Sequence, residues 1–109
     1  MAFGHAFDGR VSAVIGTHTH VPTADTMLLS GGTAYQSDIG MCGDYDSVIG
    51  MQKTLPVQRF VRKMPTERLT PADGPATLSG VFIETDDATG LARRAAPLRV
   101  GGKLAETWP

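Results

Sequence analysis

An apolar run that ends in two histidines constrains the fold of this chain most. Residues 11–17 read VSAVIGT, and Ser12 is the only polar side chain among the first five of them. A nearly continuous apolar run of this length is typical of a strand that is covered on both faces in a parallel or mixed sheet. We therefore expect this strand to be paired on both sides, with His18 and His20 just beyond its carboxyl end.

The other patterns along the chain predict a mixed α/β fold built from short elements. Paired glycines at 31–32 predict a hairpin turn, and apolar residues at a spacing near 3.6 predict an amphipathic helix. Thirteen glycines and seven prolines indicate many turns and few helices. The predicted elements, in chain order, are a helix end over 1–9, strands over 11–17, 25–30 and 33–39, a loop over 40–46, a helix over 54–64, and strands over 76–84 and 91–100, which a turn over 85–90 joins into a second hairpin.

Composition and charge narrow the class of protein. Ten Lys and Arg residues stand against eleven Asp and Glu residues, so the net charge is −1 and no basic surface for nucleic acid is expected. The chain has 109 residues, whereas a complete (β/α)₈ barrel needs about 250. One cysteine cannot form an internal disulfide, so we expect a reducing, cytoplasmic location. No apolar run approaches the ~20 residues of a membrane span, so no membrane partner is expected.

The histidine pair is the strongest candidate for a metal site. Along an extended segment residues i and i+2 point to the same side, so His18 and His20 are expected to aim both imidazoles at one point. Imidazole binds Zn, Fe and Mn ions, and open α/β sheets place their ligand sites beyond the carboxyl ends of strands. Surface pairs of histidines also arise by chance, and a catalytic zinc needs about three protein ligands. The candidate further ligands are Asp25, Asp38, Asp44, Asp46, His5 and Cys42.

Each candidate further ligand also has an ordinary structural interpretation. Aspartates are common in turns and glycine-rich loops, His5 can be a partly buried helix residue, and Cys42 can be a small buried apolar side chain. Among families with a His-x-His pair, metallo-β-lactamase-like enzymes continue with Asp-His, which is absent after His20. Amidohydrolases need a barrel that does not fit this length. A phosphoesterase with Gly-x-His-x-His near the end of its domain is excluded neither by the residues that follow His20 nor by the length of the chain.

A longer run around the histidine pair is more specific than the pair itself. The segment DGRVSAVIGTHTHVPTAD over residues 8–25 resembles bacterial calcineurin-like metallophosphoesterases of the cyclic-nucleotide phosphodiesterase type. The resemblance continues through GGTAY at 31–35, DIGMCG at 38–43 and YDSVIGM at 45–51, and again in SGV at 79–81 and DDATG at 86–90. It spans nearly the whole chain and corresponds to the C-terminal part of that family. We therefore expect residues 1–109 to be the C-terminal segment of a single metallophosphoesterase domain whose N-terminal half is absent here.

The resemblance implies a sandwich of two mixed β-sheets flanked by helices, with a dinuclear centre of divalent transition metal ions (Fe, Mn or Zn) at the strand ends. His18 and His20 match the family's last two metal ligands, one for each ion. The other ligands, and the histidine that assists the leaving group, have no matching position here, so no catalytic residue is expected in this chain. The residues expected to line the site or to contact its ligands are Thr17, Asp25, Gly40, Met41 and Gly43.

The function that the resemblance implies is phosphoester hydrolysis by a complete domain. We expect the chain to be part of a metal-dependent phosphodiesterase acting on a phosphodiester or cyclic nucleotide, and to be inactive without its N-terminal half. Two alternatives stay open: a stand-alone binding or structural module with a vestigial pair, and a different metal hydrolase that converged on the same pair. The unpaired strand edge and the uncovered Phe3 and Phe7 predict self-association or a need for the missing half.

Overall fold

The structure is a computed structural model that describes residues 1–109, with two helices and six strands. These elements are, in chain order, α1 (Ala2–Phe7), β1 (Ala13–Ile15), β2 (Met27–Leu28), β3 (Ala34–Gln36), β4 (Gly43–Asp44), α2 (Thr54–Arg62), β5 (Ala76–Thr85) and β6 (Ala92–Val100). The predicted mixed α/β class is confirmed. Neither helix has the length and apolar character that crossing a membrane requires.

The first sheet has the order β1-β3-β2 and contains both kinds of pairing. β1 runs parallel to β3, and β2 runs antiparallel to it. The hairpin expected around the paired glycines is confirmed, because the N–H of Leu29 donates to the carbonyl of Thr33 and the N–H of Gly32 donates to Leu29, both at 2.9 Å. β3 is the central strand of this sheet, and all three of its residues are buried.

The unpaired edge expected for the strand within residues 11–17 is present in this chain, whereas the pairing on both sides that its apolar run indicates is not. β1 pairs only with β3, and its three residues are half-buried or exposed, Ile15 being 45% exposed. The physical reason is that the sheet has the order β1-β3-β2, so no strand of this chain lies beyond β1. β1 is therefore an edge strand with an uncovered apolar face.

The second sheet has the order β4-β5-β6 and is antiparallel throughout. The long hairpin of β5 and β6 was expected, but β4 lies inside the segment 40–46 that was predicted to be only a loop. β6 lies against β2 and β3, and the N–H of Ala92 donates to the carbonyl of Gly32 at 2.8 Å. These contacts join the two sheets.

The helix predicted over 54–64 is present as α2, but its apolar face is uncovered. It ends at Arg62, because Lys63 adopts a left-handed φ of 55° while its N–H still donates to the carbonyl of Arg59. None of its residues is buried, and Phe60 is 85% exposed. The amphipathic pattern therefore identifies the helix. Residues 1–109 do not supply the surface against which its apolar face would pack.

The molecule is elongated and has a small apolar core. Its radius of gyration is 16.9 Å, compared with about 13 Å for a compact domain of this length. Its accessible surface is 7072 Å², compared with about 5,800 Å² for a compact monomer of this mass. The only buried apolar side chains are Leu29, Ala34, Tyr35 and Ala92.

Candidate functional site

The carboxyl ends of two parallel strands define the candidate site. Because β1 and β3 are parallel, the segment with His18 and His20 leaves β1 at the same edge of the sheet at which Asp38 follows β3. The backbone ladder extends past the strands, since the N–H of Ile39 donates to the carbonyl of Gly16 at 2.9 Å. Open α/β sheets bind ligands at such an edge.

Asp38 anchors the residue between the two histidines. Its carboxylate is 1% exposed and accepts the N–H of Thr19 at 2.5 Å, the hydroxyl of Thr19 at 2.8 Å and the N–H of Gly40 at 2.8 Å. Burial by itself would raise the pKa of this carboxyl, but the hydrogen bonds from Gly40 and Thr19, with the charge of His20, hold the pKa below its usual value. Asp38 is therefore an ionised anchor of the histidine segment.

The histidine segment is not extended, contrary to the expectation from the sequence. Residues 18–21 form a bend, and His20 has a left-handed φ of 66°. The physical reason is that Asp38 holds both the N–H and the hydroxyl of Thr19, which turns the chain back before it pairs again between Pro22 and Ile39. The period of two therefore does not describe how these imidazoles point.

His20 is oriented by a backbone carbonyl. Its Nδ1 lies 2.9 Å from the carbonyl oxygen of Ile49. A carbonyl can only accept, so Nδ1 donates in this contact, and in a neutral ring Nε2 would then carry the lone pair. His18 is exposed and makes no hydrogen bond. Nε2 of His20 and both ring nitrogens of His18 therefore have no hydrogen-bond partner in the protein.

The donors suit a transition metal ion but do not complete a metal site. Neutral imidazoles are good ligands for Zn, Fe and Mn, and a backbone carbonyl such as that of Ile49 is a usual partner for the other ring nitrogen of a metal-binding histidine. However, no group of three or more His, Cys, Asp or Glu side chains is arranged to hold a metal ion. The imidazoles of His18 and His20 therefore have the chemistry of metal ligands, and no reaction step follows from them alone.

The candidate further ligands are engaged elsewhere. Asp25 accepts the hydroxyls of Thr23 and Ser37, and Asp46 forms an ion pair with Lys53 at 2.9 Å. Asp44 accepts the N–H of Asp46. His5 is exposed on α1. Cys42 is exposed, and its thiol donates to the carbonyl of Ser79. The expectations of a buried Cys42 and a partly buried His5 are wrong, because α1 and the loop contact the sheets through glycine backbone at Gly4 and Gly40 instead.

Three of the five residues expected to line the site, Gly40, Met41 and Gly43, lie where the first sheet leads into the second. Gly40 is buried with a φ of 83°, and a Cβ there would come within 2.6 Å of the Tyr45 hydroxyl, so only glycine fits. The Met41 N–H donates to that hydroxyl at 2.8 Å, and Gly43 pairs with Thr77 in the second sheet. The other two are Thr17, which is exposed beside His18, and Asp25, described above.

The largest cavity does not contain the histidine pair. It has a volume of about 630 Å³ and is bounded by residues after His20 and by the C-terminal segment, including Pro22, Arg99 and Leu104. Arg99 donates to the carbonyl of Ala105 and to the hydroxyl of Thr107, so its guanidinium holds the C-terminal segment. This cavity is therefore separate from the candidate metal site.

The functional group that the sequence analysis missed is the Ile49 carbonyl. A backbone carbonyl carries no residue signature, so no residue type could reveal it. One signal was present in the sequence, since isoleucine is followed by Gly50 in a segment rich in turn formers. The role of Asp38 as an anchor was also not predicted, because its contact with Thr19 joins residues that are 19 positions apart in the sequence.

Comparisons with known proteins identify the family of this chain. Residues 1–98 match the family described as YmdB-like protein. The chain is 52% identical over 89 residues to the 2′,3′-cyclic-nucleotide 2′-phosphodiesterase of Bacillus subtilis (strain 168), a match that covers 82% of this chain and 33% of that protein. The chain therefore spans about a third of the length of such relatives, and it matches their C-terminal part.

Two solved structures share the fold. A hypothetical protein from Thermus thermophilus superposes with a TM-score of 0.86 at 38% identity, over 94% of this chain and 40% of that one. A novel phosphatase from Mycoplasma pneumoniae superposes with a TM-score of 0.85 at 39% identity, over 92% of this chain and 36% of that one. On the strength of the match over residues 1–98, this chain belongs to the YmdB-like protein family.

Proposed function

We propose that this chain forms the C-terminal part of a metal-dependent phosphodiesterase domain in which His18 and His20 are metal ligands. The observation that carries the proposal is the 2.9 Å hydrogen bond from His20 Nδ1 to the Ile49 carbonyl, which leaves Nε2 free at the carboxyl edge of two parallel strands. Relatives named as a phosphodiesterase and a phosphatase support the reaction class.

Each residue of the site has a distinct role in the proposal. Two divalent transition metal ions, when bound, would polarise phosphoryl oxygens and activate water for attack on phosphorus. His18 and His20 each donate one neutral imidazole, Asp38 fixes the segment between them, and Gly40 allows the backbone to come close to substrate. Since the imidazoles bind as neutral groups, metal affinity falls as they become protonated.

The proposal assigns residues 1–109 to one domain. The remaining metal ligands lie in the two-thirds of that domain that this chain does not span. Three features support this assignment. The chain spans only 33% of its Bacillus subtilis relative, its apolar core has four side chains, and α2 and β1 leave apolar surface uncovered. Such surface is unusual on a complete monomer.

The substrate in the proposal is a small phosphodiester, with a cyclic nucleotide as the first choice because of the name of the Bacillus subtilis relative. The near-neutral net charge of −1 gives no basic surface for a nucleic-acid polymer. A reducing, cytoplasmic location belongs to the same proposal, since the single cysteine, Cys42, is free and exposed.

A chimera tests this function. Residues 1–109 replace the matching C-terminal part of the Bacillus subtilis phosphodiesterase, and hydrolysis of a 2′,3′-cyclic nucleotide is measured with added Mn²⁺. We expect metal-dependent hydrolysis, its loss in the His18→Ala chimera, and its retention in the His5→Ala control. The 109-residue chain alone is expected to show only background hydrolysis.

Two results would overturn the proposal. One is a folded chimera, verified by circular dichroism, that hydrolyses no cyclic nucleotide. The other is a His18→Ala chimera that keeps the full rate, because the imidazole of His18 would then not be a ligand.

A further inference from the structure

The hydrogen bond between His20 and Ile49 joins two strained residues. Only three residues other than glycine have a positive φ: His20 at 66°, Ile49 at 50° and Lys63 at 55°. A positive φ is a genuine outlier for a β-branched residue such as isoleucine. Two of the three strained positions are thus the two partners of one hydrogen bond, and strain of this kind concentrates at functional sites.

The carbonyl is presented by a closed turn. Val48 and Met51 exchange two backbone hydrogen bonds of 2.9 Å, and the central residues Ile49 and Gly50 both have positive φ, as in a type I′ turn. Ser47 reinforces the turn, because its hydroxyl accepts the N–H of Gly50 at 2.9 Å. The two turn-closing bonds leave the Ile49 carbonyl free to accept from His20.

Packing of the Ile49 side chain does not explain why isoleucine is held in this conformation. The residue is 56% exposed, and asparagine or aspartate would adopt the first central position of such a turn at lower cost. What the turn does provide is a fixed carbonyl 2.9 Å from His20 Nδ1.

We infer that the Ile49 carbonyl is the positioning group of His20, which it holds as the tautomer with the proton on Nδ1 and the lone pair on Nε2. The inference rests on the proposed function for what Nε2 binds, whereas the tautomer itself does not depend on it. A neutral histidine in water favours the opposite tautomer, with the proton on Nε2. The carbonyl therefore prepares the imidazole for a metal ion before the ion arrives.

Imidazole nitrogen chemical shifts of the metal-free, ¹⁵N-labelled 109-residue chain at neutral pH test the inference. Long-range ¹H–¹⁵N correlation distinguishes the two tautomers of each ring. We expect His20 to carry its proton on Nδ1, and His5 and His18, which make no ring hydrogen bond, to favour the proton on Nε2. A proton on His20 Nε2 would overturn the inference.

Variants of this turn distinguish the effect of the Ile49 carbonyl on the His20 tautomer from a general structural effect. Gly50→Ala places a methyl group at a φ of 91° and near the Met41 sulfur, so we expect it to shift His20 toward the Nε2–H tautomer. Gly90→Ala is the matched control, because Gly90 has a φ of 73° in the distant β5–β6 turn. Ile49→Asn keeps both the carbonyl and a tolerated positive φ, so it should keep the native tautomer. An unchanged His20 tautomer in Gly50→Ala would overturn the inference.

Added Zn²⁺ distinguishes this inference from the proposed function. We expect Zn²⁺ to shift the ring nitrogens of His18 and His20, with affinity about tenfold lower in Gly50→Ala than in the Gly90→Ala control. Equal affinities in the two variants would contradict the positioning role. If His20 has the expected tautomer but Zn²⁺ leaves both rings unchanged in the chimera with the Bacillus subtilis phosphodiesterase, the tautomer assignment stands and the proposed metal site fails.

Discussion

At the scale of single residues, the Asp38 carboxylate accepts three hydrogen bonds that together shape the histidine segment. Two come from Thr19, between the histidines, and one comes from Gly40 at the start of the next loop. Hydrogen bonds to a buried charged group stabilise more than neutral ones do, and removing the acceptor leaves the donors of Thr19 and of the buried Gly40 without this partner. Asp38 thus links the candidate ligands to the loop that precedes β4.

The Asp38→Ala variant tests this link. We expect it to lower the free energy of unfolding by about 2–3 kcal/mol, because the donors of Thr19 and Gly40 lose their acceptor. Urea denaturation provides the measurement, and Asp73→Ala is the control, since the Asp73 side chain accepts no hydrogen bond. Equal losses in the two variants would contradict the anchoring role.

The sequence predicts the position of the histidine pair but not its conformation. The position of His18 and His20 could be predicted, because they directly follow an apolar strand. Their conformation could not be, since it depends on Asp38, which is 18 residues away from His20 along the chain. The contact between the Ile49 carbonyl and His20 could not be predicted either, because the two residues are 29 positions apart in the sequence.

At the scale of elements, the parallel pair β1 and β3 sets where the site lies, and one glycine permits their close approach. A Cβ at Gly16 would overlap the carbonyl oxygen of Ser37, so a larger residue would force the chains apart. Because the chains approach closely, the hydrogen-bond ladder between β1 and β3 extends by one residue, and the Gly16 N–H donates to the Gln36 carbonyl at 3.1 Å.

The Gly16→Ala variant tests this close approach. We expect a loss of about 1–3 kcal/mol in the free energy of unfolding, because the added methyl overpacks against backbone. Gly80→Ala is a matched control in β5, where an added Cβ meets nothing within 4 Å. Thermal or urea unfolding measures both variants. A Gly16→Ala chain that is as stable as the Gly80→Ala chain would contradict the packing described here.

The turn between β5 and β6 carries a pH-dependent contribution to stability. The N–H of Ala88 donates to the Asp86 carboxylate and, with the guanidinium of Arg93, holds the Asp86 pKa below its usual value, although partial burial opposes this. The unfolded chain therefore binds the proton first, so the stabilisation is present above about pH 4 and is lost as the pH falls through the folded-state pKa.

We expect Asp86→Ala to destabilise the chain at neutral pH, with a difference from the native chain that shrinks as the pH is lowered below about 4. Urea unfolding over a pH series measures this difference. Asp87→Ala serves as the control, because the Asp87 side chain makes no hydrogen bond or ion pair. A difference that stays constant with pH would contradict the assignment to the ionised carboxylate.

Local patterns predicted the longer elements well and the short ones poorly. The β5–β6 hairpin and α2 were placed correctly, because a run of nine or ten residues gives a clear period. β4 has only a glycine and an aspartate, so its pairing with β5 depends on tertiary structure alone. Burial was predicted least well, since β1 has the more apolar sequence but β3 occupies the centre of the sheet.

At the scale of the whole molecule, an apolar concavity lies where α1 meets the outer side of β1. It has a volume of about 360 Å³, and its lining residues, all apolar, are Phe3, Phe7, Val11, Ala13, Val14 and Ile15. The open edge of β1 runs beside it, so backbone donors and acceptors accompany the apolar surface. A strand edge of this kind is a template for pairing with another chain.

The isolated chain is therefore expected to self-associate with increasing concentration. Light scattering measures this, and Ile15→Lys should reduce the association by placing a charge on the open edge. Lys103→Ala, a change at an exposed residue remote from β1, is the control. A native chain that stays monomeric throughout, with a cooperative melt, would show that the concavity needs no partner and would favour a stand-alone module.

The metal content of the chimera with the Bacillus subtilis phosphodiesterase tests the central claim most directly. After loading with Mn²⁺ and desalting, elemental analysis should find about two ions per chain in the chimera with native residues 1–109. The chimera carrying His18→Ala and His20→Ala should lose most of this metal, while the His5→Ala chimera should keep it. Stoichiometric, tightly held metal in the double variant would contradict the assignment of His18 and His20 as ligands.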